Sequence, residues 1–463
     1  MTDQYGPGPV GSPTLVPGLE LQDDRKIPGK QVVAWAFWDW GSSAFNAVVT
    51  TFVFTVYLTG DRFVDTAVPR GTAAFTVAKA SLSSGLGLGL AIAGVVVALL
   101  APVLGQRADA TGRRRRGVAL GTVVVVVAML AMSLIVAAPP FFVPGVVLVC
   151  VGTVAYEIAT VNYNAMLLTI STPRTIGRVS AFGWASGYLG GILLLLVLYV
   201  TLIPQGPQLL GVTDDGGLDI RICAAICAVW TAVFAIPVLL AVPDVPPAPG
   251  LPRRGLAAAY RKLGADIAGL WRTDRNLLGF LVASAVFRDG LTGVFTFGAV
   301  IASTVFGFTF GQVLIFGVAA NVVAGVSTLL SGRFDDLFGP KPVILVSLVG
   351  LVAAGVAVFL AHGAGTTAFW VGGLVLCCFV GPAQSASRSL LARLAPVTRE
   401  GELFGLYATT GRVATFLAPA LFALFIQLTG DPAFGILGIV LVLAVGLVLL
   451  VPVRGARAER SDA

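Results

Sequence analysis

The chain of 463 residues is 57% hydrophobic and only 11% charged, with a mean hydropathy of +0.92. Soluble proteins carry about a quarter charged residues, so a soluble fold is excluded and lipid contact takes the place of the missing charge. The net charge of +7 would suit a nucleic-acid partner, but its distribution along the chain assigns it to membrane topology.

Residues 1–30 combine proline, glycine and charge without an apolar core, and read as a disordered tail rather than a cleavable signal. Beyond them, a bilayer-spanning helix needs ~20 mostly apolar residues. That length predicts twelve spans, at 32–58, 81–104, 117–137, 141–170, 180–203, 220–242, 277–304, 310–331, 342–361, 367–394, 402–427 and 433–452. A proline-rich, then basic and amphipathic segment separates the sixth from the seventh. The expected organisation is a six-helix bundle at 31–242, a cytoplasmic linker at 243–275, a second bundle at 276–453 and a cytoplasmic tail at 454–463. No connection has room for a nucleotide-binding domain, and no Gly-x-x-x-x-Gly-Lys phosphate loop occurs. An ATP-driven pump is set aside.

Basic residues decide the orientation. With the N-terminus inside, the inner connections hold Arg25, Lys26, Lys30, Arg107, Arg113 to Arg116, Arg174, Arg178 and the arginines and lysines of the linker. The outer connections hold only Arg62, Arg70, Lys79 and Arg221. This is the positive-inside asymmetry, and it places both termini in the cytoplasm, with the cell membrane as the expected location. All five cysteines lie in apolar spans and the single histidine, His362, at a span end. No metal or cofactor is expected.

The first span, WAFWDWGSSAFNAVVTTFVF from Trp35, carries Asp39 with Ser42, Ser43, Asn46 and Thr50 at helical spacing. Asp39 lies about 10 Å into its span at 1.5 Å per residue, which leaves two readings: a cap near the membrane surface, or a site in a transport pathway. Glu157 in span four has Thr153, Thr160 and Asn164 on its face, and Asp289 in span seven has Thr292 and Thr296. Arg288 and Arg412 lie within spans seven and eleven, and Gln384 and Arg388 sit toward the inner end of span ten. A charge at the bilayer centre costs at least ~2.5–3.5 kcal/mol. The set therefore either locks helices by ion pairing or builds a dipolar site. In the second case Arg288 or Arg412 would hold a carboxylate, and Asp39 or Asp289 an ammonium group or a proton.

An internal repeat fixes the architecture. Phe37-Trp38-Asp39-Trp40-Gly41 is echoed by Phe287-Arg288-Asp289-Gly290. Gly105-x-x-x-Asp109-x-x-Gly112 is echoed by Gly332-x-x-x-Asp336-x-x-Gly339, and 167–183 by 390–405. Three matches in the same order argue for a six-plus-six parallel repeat. The glycines of the second pair are expected to allow tight reversals between spans. Gly183, Gly187 and Gly191 read as helix-packing positions.

Twelve spans with this glycine–aspartate motif after spans two and eight resemble the major facilitator superfamily. Within it, WDWGSSAF, YNAMLLTISTP, GWASGYLGG, FRDGLTGVFTFG and FGLYATTGR resemble the vacuolar amino-acid effluxer-like family and its bacterial members, over about Val32 to Val453. That family more usually has Tyr before the first-span Asp and Ala-Asn after the Trp, where this chain has Trp38 and Gly41-Ser42. The superfamily motif usually has a basic residue directly after its Asp. Here that position is Ala110, so the resemblance rests the conformational latch on Asp109 and Arg113. The resemblance implies an all-α polytopic membrane protein with twelve transmembrane helices in two pseudo-symmetric halves around a central cavity. It also implies alternating-access efflux of amino acids or related small polar solutes, with a proton as a candidate coupling ion. The expected partners are the solute and membrane lipids, with no nucleic acid, and the expected state is a monomer. A multidrug or lipid exporter of the same fold is the alternative. An intramembrane enzyme or receptor is the remote one, since nothing resembles a nucleophile with its base.

Overall fold

The computed structural model describes residues 26–202, 211–213, 215–244, 261, 269–272, 274–395 and 400–455. Most of the tail expected at 1–30, most of the linker and residues 456–463 lie outside these. Among the described residues there are twelve helices long and apolar enough to cross a membrane, and no strand.

In chain order they are α1 (Gly29–Leu58), α2 (Ala73–Thr111), α3 (Arg114–Met132), α4 (Pro139–Leu168), α5 (Ile176–Thr201) and α6 (Asp215–Ala241). The second half contains α7 (Arg275–Thr304), α8 (Phe310–Phe338), α9 (Pro340–Leu360), α10 (Thr366–Leu394), α11 (Gly401–Thr429) and α12 (Pro432–Leu450). Their outward faces are apolar side chains with nothing over them, such as Leu120, Leu240, Leu360 and Val448, which is the surface a bilayer covers.

The expected spans recur with two differences. The Thr72 hydroxyl accepts from the Phe75 N–H and starts α2 at Ala73, so much of the outer connection expected at 59–80 is helical. α8 runs past 331 to Phe338, because the carboxylates in its last turns find partners and need not leave the helix. Gly112 (φ 66°) and Gly339 (φ 86°) do terminate helices in the region that favours glycine. In the outer connection, Lys79 donates to Asp61 at 2.7 Å and holds its carboxyl below the usual range.

The packing repeats with an offset of six. α1 lies against α5 and α6, α2 against α4, and α3 against α4 and α6. α7 lies against α11 and α12, α8 against α10, and α9 against α10 and α12. Between the halves, the extensive contacts are α2 with α11 and α5 with α8, a pairing that a two-fold axis between the halves exchanges. Glycines allow the close approaches within each half. A Cβ on Gly121 would lie 2.8 Å from the Ala155 carbonyl and 2.8 Å from the Ala159 Cβ.

One helix departs from regular geometry. Ala44–Val53 of α1 forms a π-helix, a feature frequent at functional sites. Its loosened carbonyls are taken up by hydroxyls: Thr50 and Thr51 both donate to the Asn46 carbonyl, at 2.6 and 3.0 Å. This breaks the polar stripe expected on α1. Ser42 and Ser43 are buried and turn back onto the carbonyls of Asp39 and Trp40, while Asn46 is exposed.

Overpacking a well-filled contact costs ~1–3 kcal/mol. Gly121→Val is therefore expected to lower the melting temperature in detergent by several degrees, as read by tryptophan fluorescence, without changing the oligomeric state.

Candidate functional site

The charged residues occupy three levels, counted from the end of the bundle where α1 begins, termed the inner end. At the innermost, each half grips the other by a helix start. The first N–H groups of a helix have no partner within it and carry a partial positive charge. Asp109, in the last turn of α2, accepts from the N–H groups of Gly401 and Glu402, each at 3.0 Å, at the beginning of α11. Asp336, at the end of α8, accepts from the N–H groups of Gly177 (2.8 Å) and Arg178 (3.3 Å) at the beginning of α5, and from Arg178 Nε at 2.6 Å.

Gly105 and Gly332 are not turn residues, as expected from their spacing, but interior helix positions. A side chain on Gly105 would collide with the Gly401 carbonyl, and a Cβ on Gly332 would lie 2.7 Å from the Ala181 Cβ. Without these glycines the aspartates would not reach the opposite helix.

The cation beside Asp109 also differs from expectation. Arg113 is exposed in the connection, whereas Arg114 opens α3 and its buried side chain lies 2.9 Å from Asp109. Arg114 also donates to the Ala165 carbonyl at 2.8 Å. The start of the helix selects which arginine of the run turns inward. In the other half, Asp335 is buried and bound by Arg393 (3.0 Å) and Ser389 (3.2 Å), and Arg393 also approaches Asp336 at 3.6 Å. The sequence reading does not single out Arg114, Arg178, Asp335 and Arg393, which complete these contacts. The adjacent Asp335-Asp336 pair was a readable signal, since two carboxylates at one helix end require cations.

The second level centres on Arg388 of α10, which is only 3% exposed. It projects into the opposite half. Its Nε donates to Ser180 Oγ (3.0 Å), and its Nη1 lies 3.2 Å from Asn164 Oδ1 and 3.4 Å from Asp39 Oδ2. Its Nη2 donates to the Ser180 carbonyl. The guanidinium also lies over the rings of Trp35 (4.9 Å) and Trp184 (5.6 Å).

Asp39 is thus neither a surface cap nor alone: Tyr163 donates to it at 2.8 Å. Trp35 and Trp38 stack on Tyr163 with centroids 4.4 and 4.3 Å away. Trp35 donates to the Tyr163 carbonyl and Trp38 to Thr122, so the ring cluster holds Tyr163 in place. Gly183 fits beneath it, since a Cβ there would lie 2.9 Å from Asp39 Oδ2 and 2.6 Å from the Trp35 ring. Gln384 is half-buried one turn before Arg388 in α10.

At the third level Glu157 of α4 pairs with Arg412 of α11, again across the halves. Their side chains are 19% and 29% exposed, more open than Asp39 and Arg388 below them. Arg288 does not stand free. It lies 3.8 Å from the centroid of Tyr407 and donates to the Tyr407 carbonyl at 3.1 Å. Asp289, expected on a cavity stripe with Thr292, is instead buried and accepts from the Ala418 N–H at 2.6 Å. That N–H is exposed by a break in α11 between Ala414 and Leu417. Pro419 accounts for the break, because its ring would clash with the carbonyl of Thr415 in a continuous helix.

The comparisons bear on what this arrangement serves. The family model for "Vacuole effluxer Atg22 like" matches residues 28–462. The chain belongs to the Atg22-like family. Among relatives, the uncharacterized MFS-type transporter YxiO of Bacillus subtilis is 27% identical over 91% of this chain and 94% of its own length. Autophagy-related protein 22 of Cryptococcus neoformans is 30% identical over 62% of this chain, which spans 54% of that protein. Among solved structures, the proton:xylose symporter XylE superposes with a TM-score of 0.72 at 14% identity, over 93% of this chain and 96% of its own. The Atg22-like chain therefore has the major facilitator fold, and it is a secondary transporter of the membrane, not an enzyme.

Removing one partner of a buried ion pair costs ~3–5 kcal/mol. Arg114→Gln is accordingly expected to lower transport flux at least about tenfold in proteoliposomes, whereas Arg113→Gln should stay within about twofold of the unsubstituted protein.

Proposed function

We propose that this Atg22-like transporter exports small zwitterionic solutes, amino acids or metabolites of similar shape, from the cytoplasm by alternating access. The observation that carries this reading is the Glu157–Arg412 pair. It joins the two halves, is more open than the Asp39–Arg388 pair, and presents one anion and one cation side by side. A zwitterion can replace both partners at once, its carboxylate on Arg412 and its ammonium on Glu157, so neither charge is left unpaired. Arg288, pinned on Tyr407 nearby in sequence to Arg412, reinforces the anion side.

The basic connections favour a cytoplasmic inner end and an address in the cell membrane. Hydrogen bonds between the halves run from the latches outward to Thr409–Ala98 and Arg412–Glu157. These contacts support a state closed at the cytoplasmic end. Both halves and the contacts between them lie within one chain, which supports a working monomer. Efflux against a gradient needs a counter-ion, and a proton carried on Asp39 suits the reading better than one on Asp289, because Asp289 is occupied by a backbone N–H.

A multidrug or lipid exporter would need a broad aromatic surface in the cavity. Here Trp35, Trp38 and Tyr163 are stacked on one another and buried instead. Counterflow of a labelled amino-acid panel in proteoliposomes tests the reading. Saturable exchange is expected, with Glu157→Gln raising the KM about tenfold, the loss of roughly one charge-assisted contact. Thermal stabilisation by hydrophobic drugs with no amino-acid counterflow would overturn it.

A further inference from the structure

We propose that Arg388 is the lock of the inner gate and that protonation of Asp39 releases it, so that opening toward the cytoplasm requires a proton taken from the outer cavity. The idea rests on the exporter reading only in treating the proton as the counter-ion; its test uses no solute.

The geometry separates Arg388 from the latches. It belongs to the second half, yet Ser180, Asn164 and Asp39 all belong to the first, as do the two tryptophan rings over which it lies. Opening the inner end pulls all these contacts apart together, and a guanidinium, which stays charged at every working pH, has to be drawn out with them. The latch aspartates grip the backbone N–H groups of helix starts as well as side-chain cations, so their hold does not rest on one ion pair. Arg388 is held by one group that can change charge.

That group is Asp39. The ionisable side chains around it are Tyr163 and Tyr156 of α4 and Arg388 of α10. α5 faces it with Gly183 and Gly187 and contributes Ser180 to Arg388, and α6 packs on this turn of α1 through Thr231 and Phe234. Tyrosine is neutral in the working range, so within this cluster only Asp39 changes charge there.

While Asp39 is ionised it is the counter-charge of Arg388, with Tyr163 donating to the same oxygen. A proton added to the carboxylate leaves Arg388 a buried cation without an anion, a state that favours separation of the halves and hydration of the guanidinium. The Asp39 side chain is 18% exposed against 4% for Arg388, and the latches close the inner end beneath both. The proton therefore enters from the outer cavity. Once the inner end opens it leaves to the cytoplasm, and the ionised Asp39 draws Arg388 back when the halves close. Each cycle carries one proton inward, the direction an exporter needs. Acid favours the inner-open state and alkali the locked one.

Spin labels on the exposed positions Arg116 (α3) and Arg333 (α8) report the inner separation of the halves, measured by pulsed dipolar spectroscopy in liposomes without solute. The unsubstituted pair is expected to give one short distance at pH 8 and a longer population that rises at least about fivefold at pH 5.5. Asp39→Asn should show the longer population at both pH values, and so should Arg388→Gln. The doubly substituted Asp39→Asn, Arg388→Gln chain leaves no unpaired charge and tests the lock if either single variant fails to fold; it too should be open and insensitive to pH. A pH response that persists in Asp39→Asn, or a short distance at both pH values in the folded double variant, would overturn the proposal. Neither result depends on which solute, if any, shows counterflow.

Discussion

A charge between two apolar helix bundles must be paired or reach water, and this constraint decides where the halves of the transporter meet. Every intramembrane charge with a partner across the interface marks a contact: Asp109 and Asp336 on helix starts, Arg388 on Asp39, and Arg412 on Glu157. Between them the helices touch through small residues, Gly105 against Gly401, Gly332 against Ala181, and Gly405 against Ala101. The apolar surface itself offers no preference, since lipid solvates it as well as a neighbouring helix does. Polar pairing sets the interface and the glycines make it reachable.

The two halves repeat in packing but not in charge. The Asp39 turn and the Asp289 turn descend from the same position in the repeat, yet one carboxylate meets a cation from the opposite half and the other meets a backbone N–H of its own half. The difference follows from α11. Its break at Thr415 and Phe416 frees an N–H beside Asp289, while α5, its counterpart, runs unbroken from Ile176 to Thr201. α11 is thereby divided in function. Its inner part is tied to the first half through Asp109, Ala98 and Glu157, and its outer part to its own half through Asp289 and the stacked Phe297 and Phe422. A helix tied differently at its two ends is where rocking motion concentrates.

The spans, their number and the two-half repeat were legible in the sequence because each depends on short-range properties, apolar length and motif spacing. The charges within the spans were legible for the same reason, since a charge inside an apolar run is visible without a structure. Their partners were not. Arg113 and Arg114 are neighbours in a run of four, and only the first turn of α3 distinguishes the exposed one from the buried one. Arg288 looked available to a carboxylate because Tyr407, which takes its guanidinium, is more than a hundred residues away. Asp289 looked like a cavity residue because the break in α11 is signalled only by Pro419, a residue tolerated in many continuous membrane helices. Pairings across α-helices of different halves have no spacing rule to read.

The interface joins two kinds of contact with different sensitivities. A carboxylate on backbone N–H groups takes its place from the position of a helix start, and Arg114 and Arg178 complete its partners. A carboxylate on a guanidinium depends on two side chains and on the charge of each. With the first kind at the end where α1 begins and the second above it, helix starts position the contact between the halves and side-chain charges weight it. That division allows the energetics of opening to respond to charge in the cavity.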